Sequence, residues 1–209
     1  MTIDEYIDSH ISPAPEPLRK VGRRTQLELL NPRMCSGHLQ GRLLTMLTTL
    51  KQPRVAVELG TYAAYSTLCI AEGMPADGHL YSLEVNDELE DFIKESLAGS
   101  PHGSKVSVHF GPALSLLETV APGQCFDLAF MDANKREYPA YYEALRRRMN
   151  LGGLIIADNT LWDGHVVEPD NHDAQTEGIR RFNDMVAADP GVEKVILPMR
   201  DGLTLIYIK

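Results

Sequence analysis

The sequence predicts an α/β fold, a doubly wound and mostly parallel seven-stranded sheet preceded by N-terminal helices. From residue 53 onward, short apolar runs alternate with amphipathic helical stretches, which is typical of a parallel sheet covered on both faces. The last two apolar runs are separated only by residues 198–202, which include Asp-Gly and are too few for a helical crossover. We therefore expect a C-terminal hairpin that makes one strand antiparallel to its neighbours.

The N-terminal quarter of the chain predicts helices and no strand. A short amphipathic pattern ends at a group of prolines, and two longer helical patterns follow it. The predicted helices are residues 2–10, 18–30 and 37–50. Pro53 then marks the start of the alternating series. We expect a single domain over residues 1–209, with a helical segment over 1–52 and an α/β core over 53–209.

The core contains seven predicted strands and five predicted helices, assigned from apolar periodicity and turn residues. The strands are residues 55–59, 79–85, 106–110, 126–131, 154–157, 192–197 and 203–208. The helices are residues 64–74, 87–98, 113–120, 137–149 and 176–188. The longest irregular segment, about 161–175, exceeds an ordinary connection and is a candidate binding loop.

Composition and charge argue against several classes of protein. A chain of 209 residues with net charge −9 has no basic stripe of the kind that binds nucleic-acid backbones. Its three cysteines are widely spaced and form no CxxC pair, which favours a reducing compartment. No apolar run reaches membrane-spanning length, and the acidic N-terminus lacks the apolar core of a signal peptide. We expect a soluble, cytoplasmic protein with no membrane partner.

Polar side chains end two of the predicted strands. Asp132 follows the run 126–131, and Asp158 and Asn159 follow the run 153–157. If these strands are parallel neighbours, their carboxyl ends meet at the sheet edge where open α/β folds bind ligands. Each residue alone could be a helix cap or a turn. Together, two carboxylates and an amide oxygen predict a divalent-cation site that suits Mg²⁺.

The loop after the first strand predicts an adenosyl site. Gly60 permits a tight turn and close approach of a ligand, and Ser66 lies at the start of the next helix. Glu84 ends the second strand at about the 20-residue spacing at which an acid meets ribose hydroxyls. The loop lacks the GxGxxG pattern, so a pyrophosphate cradle, and with it a nicotinamide dehydrogenase, is poorly supported.

These features together resemble the class I S-adenosylmethionine (SAM)-dependent O-methyltransferases, which are Rossmann-like. The best match is the cation-dependent caffeoyl-CoA and catechol O-methyltransferase family, over nearly the whole chain from about Ile3 to Lys209. The segments that carry the resemblance are residues 57–61, 131–138, 157–164 and 201–204. The third joins the predicted metal ligands to the candidate binding loop.

The resemblance implies SAM as cofactor and a divalent cation, with Mg²⁺ first and Mn²⁺ or Ca²⁺ as alternatives. The implied metal ligands are Asp132, Asp158 and Asn159. The implied cofactor contacts are Met34, Ser36, Glu58, Gly60, Thr61, Tyr62, Ser66, Glu84, Ala113, Asp132 and Asn134. Lys135 matches the general base of catechol enzymes, with Asp132 beside it, and Lys135, Trp162 and Asp163 would face the substrate. Lys135 could equally be a solvated lysine at a helix start.

The chain departs from the family in three respects. Ala64 stands where the family usually has glycine, so its methyl group could narrow or strain the cofactor loop. Asn134 replaces an acid that is frequent in the family. The N-terminal arm is shorter than that of the plant enzymes, so the resemblance does not imply a coenzyme A thioester substrate.

The implied reaction is metal-dependent methyl transfer to one hydroxyl of a vicinal diol, a catechol-like or other phenolic small molecule. Two other functions stay open at this point, a tRNA hydroxyuridine O-methyltransferase and a non-catalytic adenosyl-binding protein. The net charge argues against the first, and the intact set of oxygen ligands argues against the second. Relatives of this kind are usually homodimers, so we expect a homodimer here.

Overall fold

The computed structural model describes all residues from Met1 to Lys209. Eight α-helices and seven strands follow one another along the chain. The helices are α1 (Ile3–His10), α2 (Glu16–Glu28), α3 (His38–Lys51), α4 (Tyr65–Gly73), α5 (Glu90–Ala98), α6 (Ala113–Thr119), α7 (Tyr138–Arg146) and α8 (Ala174–Ala188). The strands are β1 (Val55–Leu59), β2 (His79–Glu84), β3 (Val106–Phe110), β4 (Phe126–Met131), β5 (Met149–Asp158), β6 (Val192–Leu197) and β7 (Leu203–Ile208).

The seven strands form one sheet in the order β3-β2-β1-β4-β5-β7-β6. Strands β1 to β5 pair in parallel, whereas β7 runs antiparallel to both of its neighbours, β5 and β6. The predicted fold class and the terminal hairpin are therefore confirmed. The carboxyl ends of β1, β2, β4 and β5 lie together at one edge, since parallel strands share a direction.

Two predicted boundaries around β5 are wrong. Helix α7 ends at Arg146 rather than at Met149, because Met149 begins β5 and pairs with Phe126. The strand is accordingly ten residues long. Gly152 has a φ of 75°, and a Cβ on Gly153 would lie 2.7 Å from the carbonyl oxygen of Asn150. From the sequence, this glycine pair suggested a turn before a short strand. In the structure, the pair instead lets the longer strand bend.

The start of α2 also differs from its prediction. The helix begins at Glu16 rather than at Leu18, because a proline in the first turn has no intrahelical N–H to lose.

The N-terminal helices complete the core on one face of the sheet. Leu18 and Val21 from α2 and Leu44 from α3 pack with Leu68 of α4 in one buried cluster. The opposite face is covered by α6, α7 and α8. None of the helices combines the length and apolar character needed to cross a bilayer.

Candidate functional site

A cavity of about 1070 Å³ opens at the carboxyl ends of β1, β2, β4 and β5. All but one of the site residues predicted from the sequence line it. These residues are Met34, Ser36, Gly60, Thr61, Tyr62, Ser66, Glu84, Ala113, Asp132, Asn134, Lys135, Asp158, Asn159, Trp162 and Asp163. The exception is Glu58. Residues spread over most of the chain are thus brought to one place by the sheet topology.

The loop between β1 and α4 is bent by three residues in the left-handed region. Gly60, Tyr62 and Ala64 have φ values of 98°, 46° and 62°. A Cβ on Gly60 would lie 2.2 Å from the carbonyl oxygen of Asp132, a contact that no side chain tolerates. Its N–H donates to the carbonyl of Leu83 at 2.9 Å. Only glycine therefore allows the loop to lie this close to the end of β4.

Glu84 holds the same loop from the end of β2. Its Oε2 accepts hydrogen bonds from the backbone N–H groups of Thr61 at 3.1 Å and Tyr62 at 2.7 Å. Its Oε1 accepts from the N–H of Asn86 at 2.9 Å. A carboxylate offers about four acceptor positions, so one remains for a ligand hydroxyl at the cavity wall. Glu84 can both organise the loop and receive a hydroxyl.

Glu58 lies behind the cavity wall, so its predicted direct contact with a cofactor does not match its position. The side chain is fully buried, and its carboxylate accepts 2.6 Å hydrogen bonds from the hydroxyls of Ser66, Thr67 and Ser82. Burial raises the pKa of Glu58 to about 7, although the hydrogen bonds from these three hydroxyls act to lower it. Glu58 therefore acts on the cavity through Ser66, which does line it.

The buried Glu58 makes stability depend on pH. Its folded-state pKa lies above the ordinary value of 4.5, so the folded protein is favoured while Glu58 is protonated. This contribution is lost as the pH rises through about 7. The unfolding free energy of the wild-type protein should fall between about pH 5 and 8, and we expect this fall to be about 2–3 kcal/mol smaller in Glu58→Gln. Urea unfolding of both proteins across this range measures the difference.

Glu118→Gln on the exposed surface of α6 is the matched control for that experiment. It should leave the pH dependence of the wild-type protein unchanged. Parallel pH profiles for wild type and Glu58→Gln would contradict the assignment of this slope to Glu58.

The ends of β4 and β5 are tied together beneath the candidate metal ligands. Asp132 follows β4, Asp158 is the last residue of β5, and Asn159 comes next with a φ of 57°. The hydroxyl of Tyr138 lies 3.1 Å from the carbonyl oxygen of Met131 and 2.9 Å from that of Asp158, and its single proton is shared between these two acceptors. Tyr138 thus fixes the separation of the two strand ends from which the carboxylates project.

Lys135 is buried beside Asp132, which excludes its interpretation as a solvated lysine. Its Nζ donates to Oδ1 of Asp132 at 2.6 Å and lies 5.1 Å from the ring centroid of Tyr138. Desolvation and then the charge of Asp158 raise the pKa of Asp132 to about 6, while Lys135 acts in the opposite direction. The two carboxylates therefore lie close enough to repel each other, and this repulsion favours a cation between them.

The donor set fits a hard divalent cation. Asp158 accepts at Oδ1 from the N–H of Asn159 at 2.8 Å and at Oδ2 from Nε2 of Gln40 at 2.6 Å. Asp132 is bonded at one oxygen only, to Lys135. Lone pairs therefore remain on both carboxylates. No three His, Cys, Asp or Glu side chains of the chain cluster as metal ligands, so the candidate set is two carboxylates and one amide oxygen.

Trp162 and Asp163 lie on a loop that is fastened to the β6–β7 turn. They begin a 3₁₀ turn over Trp162–Val167 and both have left-handed backbone, with φ of 47° and 50°. The N–H of Asp163 donates to the carboxylate of Asp201, and the N–H of Leu161 donates to the Asp201 carbonyl at 2.9 Å. The loop wall therefore depends on the turn between the last two strands.

The rest of this loop is held by Arg180 of α8, which the sequence did not single out. Its guanidinium donates to the backbone carbonyls of His165, Val166, Glu168 and Asn171. The predicted irregular segment 161–175 is also too long, because α8 begins at Ala174 and the 3₁₀ turn occupies 162–167. Arg180 gives the segment an order that its polar composition did not indicate.

Two further residues were missed by sequence reasoning, Arg200, which lines the cavity, and Gln40, which lies behind the lining against Asp158. Gln40 of α3 is buried and bonds the candidate metal ligand Asp158, while Nη1 of Arg200 donates to Oε1 of Gln40 at 2.7 Å. The residues of these two pairs are separated by 118 and 160 positions in the chain. No local pattern signals a polar contact over such separations.

The family model described as O-methyltransferase matches residues 8–209, nearly the whole chain. The chain belongs to this O-methyltransferase family. Caffeoyl-CoA O-methyltransferase 2 of Zea mays is 34% identical over 215 residues, which cover 96% of this chain and 80% of the relative. Catechol O-methyltransferase of Niastella koreensis is also 34% identical, over 177 residues that cover 81% of this chain and 80% of the relative.

A solved structure agrees with these sequence matches. O-methyltransferase TomG of Streptomyces achromogenes, in complex with SAM, superposes with a TM-score of 0.93 at 31% identity. The match covers 99% of this chain and 96% of that one. The protein is a SAM-dependent O-methyltransferase with a class I fold, so the interpretation as a non-catalytic adenosyl-binding protein is wrong.

Ala64 is strained, as predicted. It caps α4 in left-handed backbone with φ 62° and ψ 20°, and it is fully buried. We expect Ala64→Gly to raise the unfolding free energy by about 1 kcal/mol, because glycine adopts this conformation without a Cβ clash. Thermal unfolding should show a midpoint about 2–4 °C higher.

Its neighbour Ala63 provides the control, since it is equally buried but has no positive φ. Ala63→Gly should lose stability, because glycine only adds freedom to the unfolded chain there. A loss of stability in both variants would show that left-handed strain at Ala64 is not significant.

Proposed function

We propose that this O-methyltransferase transfers the methyl group of SAM to one hydroxyl of a vicinal diol on a small catechol-like acceptor. We further propose that it does so with a divalent cation, Mg²⁺ first, bound by Asp132, Asp158 and Asn159. The observation that carries the proposal is the position of these oxygen ligands. They share one cavity with the Gly60–Ser66 loop, at strand ends tied by Tyr138.

The β1 and β2 side of the cavity would hold the cofactor. Glu84 keeps an acceptor position free for a ribose hydroxyl, and the close-packed Gly60 loop leaves room for the adenosyl moiety. Ser66, held from behind by Glu58, offers its oxygen at the start of α4. Met34 and Ser36 would close the cavity from the N-terminal segment, with Thr61, Tyr62, Ala113 and Asn134 completing the wall. When bound, SAM supplies a methyl group already activated on a sulfonium.

The β4 and β5 side would hold the acceptor. A bound cation would favour the ionised form of an acceptor hydroxyl. Lys135, buried beside Asp132, would take the released proton as the neutral amine, because an ammonium has no lone pair to accept it. Trp162 and Asp163, on their fastened loop, would orient the acceptor against the β5 end. Holding both reactants in one cavity accounts for much of the rate in such transfers.

The proposal is tested by incubating the protein with SAM and a panel of small catechols, with Mg²⁺ or with excess chelator. We expect methylated product that requires the cation and the vicinal pair of hydroxyls. Mono-phenols of the same size serve as matched controls and should not react. Full activity in chelator would contradict the cation, and equal turnover of mono-phenols would contradict the diol.

A further inference from the structure

A guanidinium with unused donors lies at the wall of the cavity. Arg200, in the turn between β6 and β7, is an exposed residue that lines the cavity. Its hydrogen bond to another side chain runs from Nη1 to Oε1 of Gln40 at 2.7 Å, and it pairs with no carboxylate. An arginine has five N–H donors, so most of this guanidinium is free to bind a ligand.

The position of Arg200 is fixed relative to the proposed cation site. Gln40 is buried and bonds Oδ2 of Asp158 at 2.6 Å through Nε2 while accepting from Arg200 through Oε1. The amide that links these bonds spans at most about 2.6 Å, so Nη1 of Arg200 lies within about 8 Å of Oδ2 of Asp158. A ring whose hydroxyls lie at the ends of β4 and β5 would bring a substituent within reach of Arg200.

Arg200 has a backbone conformation that glycine adopts more readily than other residues. Its φ is 50°, in the left-handed region that side chains with a Cβ rarely adopt. Strained backbone of this kind concentrates at ligand sites, where the surrounding structure holds it in place. Here the bond to Gln40 holds the side chain over the cavity.

The cavity is lined by five carboxylates and three cations, which are Glu84, Asp132, Glu137, Asp158 and Asp163, and Arg33, Lys135 and Arg200. Asp132 pairs with Lys135, Glu84 accepts three backbone N–H groups, and Glu137 accepts from the hydroxyl of Tyr141. Arg200 donates only to a neutral amide oxygen. A second guanidinium, that of Arg33, lines the same cavity without a carboxylate partner. Arg200 and Arg33 are therefore the cationic groups of the cavity wall that remain available to pair with an anionic substituent of a ligand.

We propose that Arg200 binds a carboxylate on the acceptor, so that the preferred acceptors are aromatic vicinal diols carrying a carboxylate on the same ring. The inference rests on the proposed function and deepens it by selecting among catechols. A guanidinium presents two parallel N–H donors that match a carboxylate, which a neutral ester cannot use in the same way. Arg200 is thereby a specificity-determining residue on the acceptor side of the cavity.

The test compares 3,4-dihydroxybenzoate with its methyl ester, which has the same ring and diol but no charge. We measure kcat/KM for both with SAM and Mg²⁺ in wild type, Arg200→Gln and Arg200→Lys. The acid-to-ester ratio should fall about 10–100-fold in Arg200→Gln, mainly through KM for the acid, as expected for a lost charge-assisted pair. Arg200→Lys should restore part of the ratio.

Arg147→Gln, an exposed arginine at the end of α7 and outside the cavity, is the matched control and should keep the wild-type ratio. Equal losses for acid and ester in Arg200→Gln would show that Arg200 acts only through Gln40 and Asp158, which overturns the proposal. An unchanged ratio would overturn it as well.

Calorimetry separates this inference from the proposed reaction. Binding of acid and ester is measured in the presence of Mg²⁺ and S-adenosylhomocysteine, with no turnover required. Selective loss of acid binding in Arg200→Gln supports the carboxylate site even if neither compound is methylated. Methylation of both compounds without discrimination leaves the proposed function standing and overturns the carboxylate site. Failure of the acid to bind the wild-type protein also overturns it.

Discussion

Replacing Asp158 by Ala is expected to lower metal-dependent methyl transfer by at least about a hundredfold. Asp158 ends β5 and supplies one of only two carboxylates in the proposed cation site. Its loss leaves Asp132, already paired with Lys135, and the amide of Asn159 as ligands. Turnover of a catechol with SAM and Mg²⁺ measures the loss against wild type.

Asp158→Asn separates lost charge from lost packing. The amide keeps the size of the side chain and one oxygen that can accept from Gln40, and it loses only the second bond, from the N–H of Asn159, so the fold should persist. We expect its affinity for Mn²⁺ or Mg²⁺, measured by calorimetry, to fall at least about tenfold. Asp170→Ala, on the exposed part of the loop, is the matched control and should retain both cation binding and turnover. Full activity of Asp158→Ala in chelator would refute the cation site.

Replacing Gly60 by Ala is expected to destabilise the protein by about 3–5 kcal/mol. The new Cβ would lie 2.2 Å from the backbone oxygen of Asp132 at a φ of 98°, so strain and overpacking combine at one position. The midpoint of thermal unfolding should fall by about 10 °C or more. SAM binding, followed by calorimetry, should weaken as well, because the loop must move away from the end of β4.

Gly123→Ala distinguishes the two causes. Gly123 also has a positive φ, of 74°, but a Cβ there would meet nothing within 4 Å. This variant therefore carries the backbone strain without the clash, and we expect it to lose only about 1 kcal/mol. If Gly60→Ala is no less stable than Gly123→Ala, the close approach of the loop to Asp132 does not limit the fold.

The strands were predictable because their signal is local. The bounds of β1, β3, β4, β6 and β7 agree with the apolar runs, since each run is short and ended by a turn residue. The boundary between α7 and β5 was not predictable in the same way. Met149 continues the helical pattern, yet its pairing with Phe126 on β4 places it in the sheet. Pairing between strands decides such ambiguous residues, and periodicity does not report it.

The candidate site was predictable where polar residues follow apolar strands, because parallel strands must bring those ends together. Individual environments were not predictable. The sequence allowed Lys135 to be either solvated or buried. Its packing against Tyr138 and its bond to Asp132 make it buried. Glu58 was assigned to the cavity wall, whereas three hydroxyls from α4 and β2 enclose it behind that wall.

By itself, the sequence determined the alternation of strands and helices, the terminal hairpin, and the polar groups that follow β1, β2, β4 and β5. These features depend on neighbours in the chain, on the strand period and on turn residues. Only the tertiary structure decided which of those groups reach the cavity, and it added Gln40 and Arg200 beside Asp158. Those contacts join residues 118 and 160 positions apart, so they exist only after the sheet and the N-terminal helices have packed together.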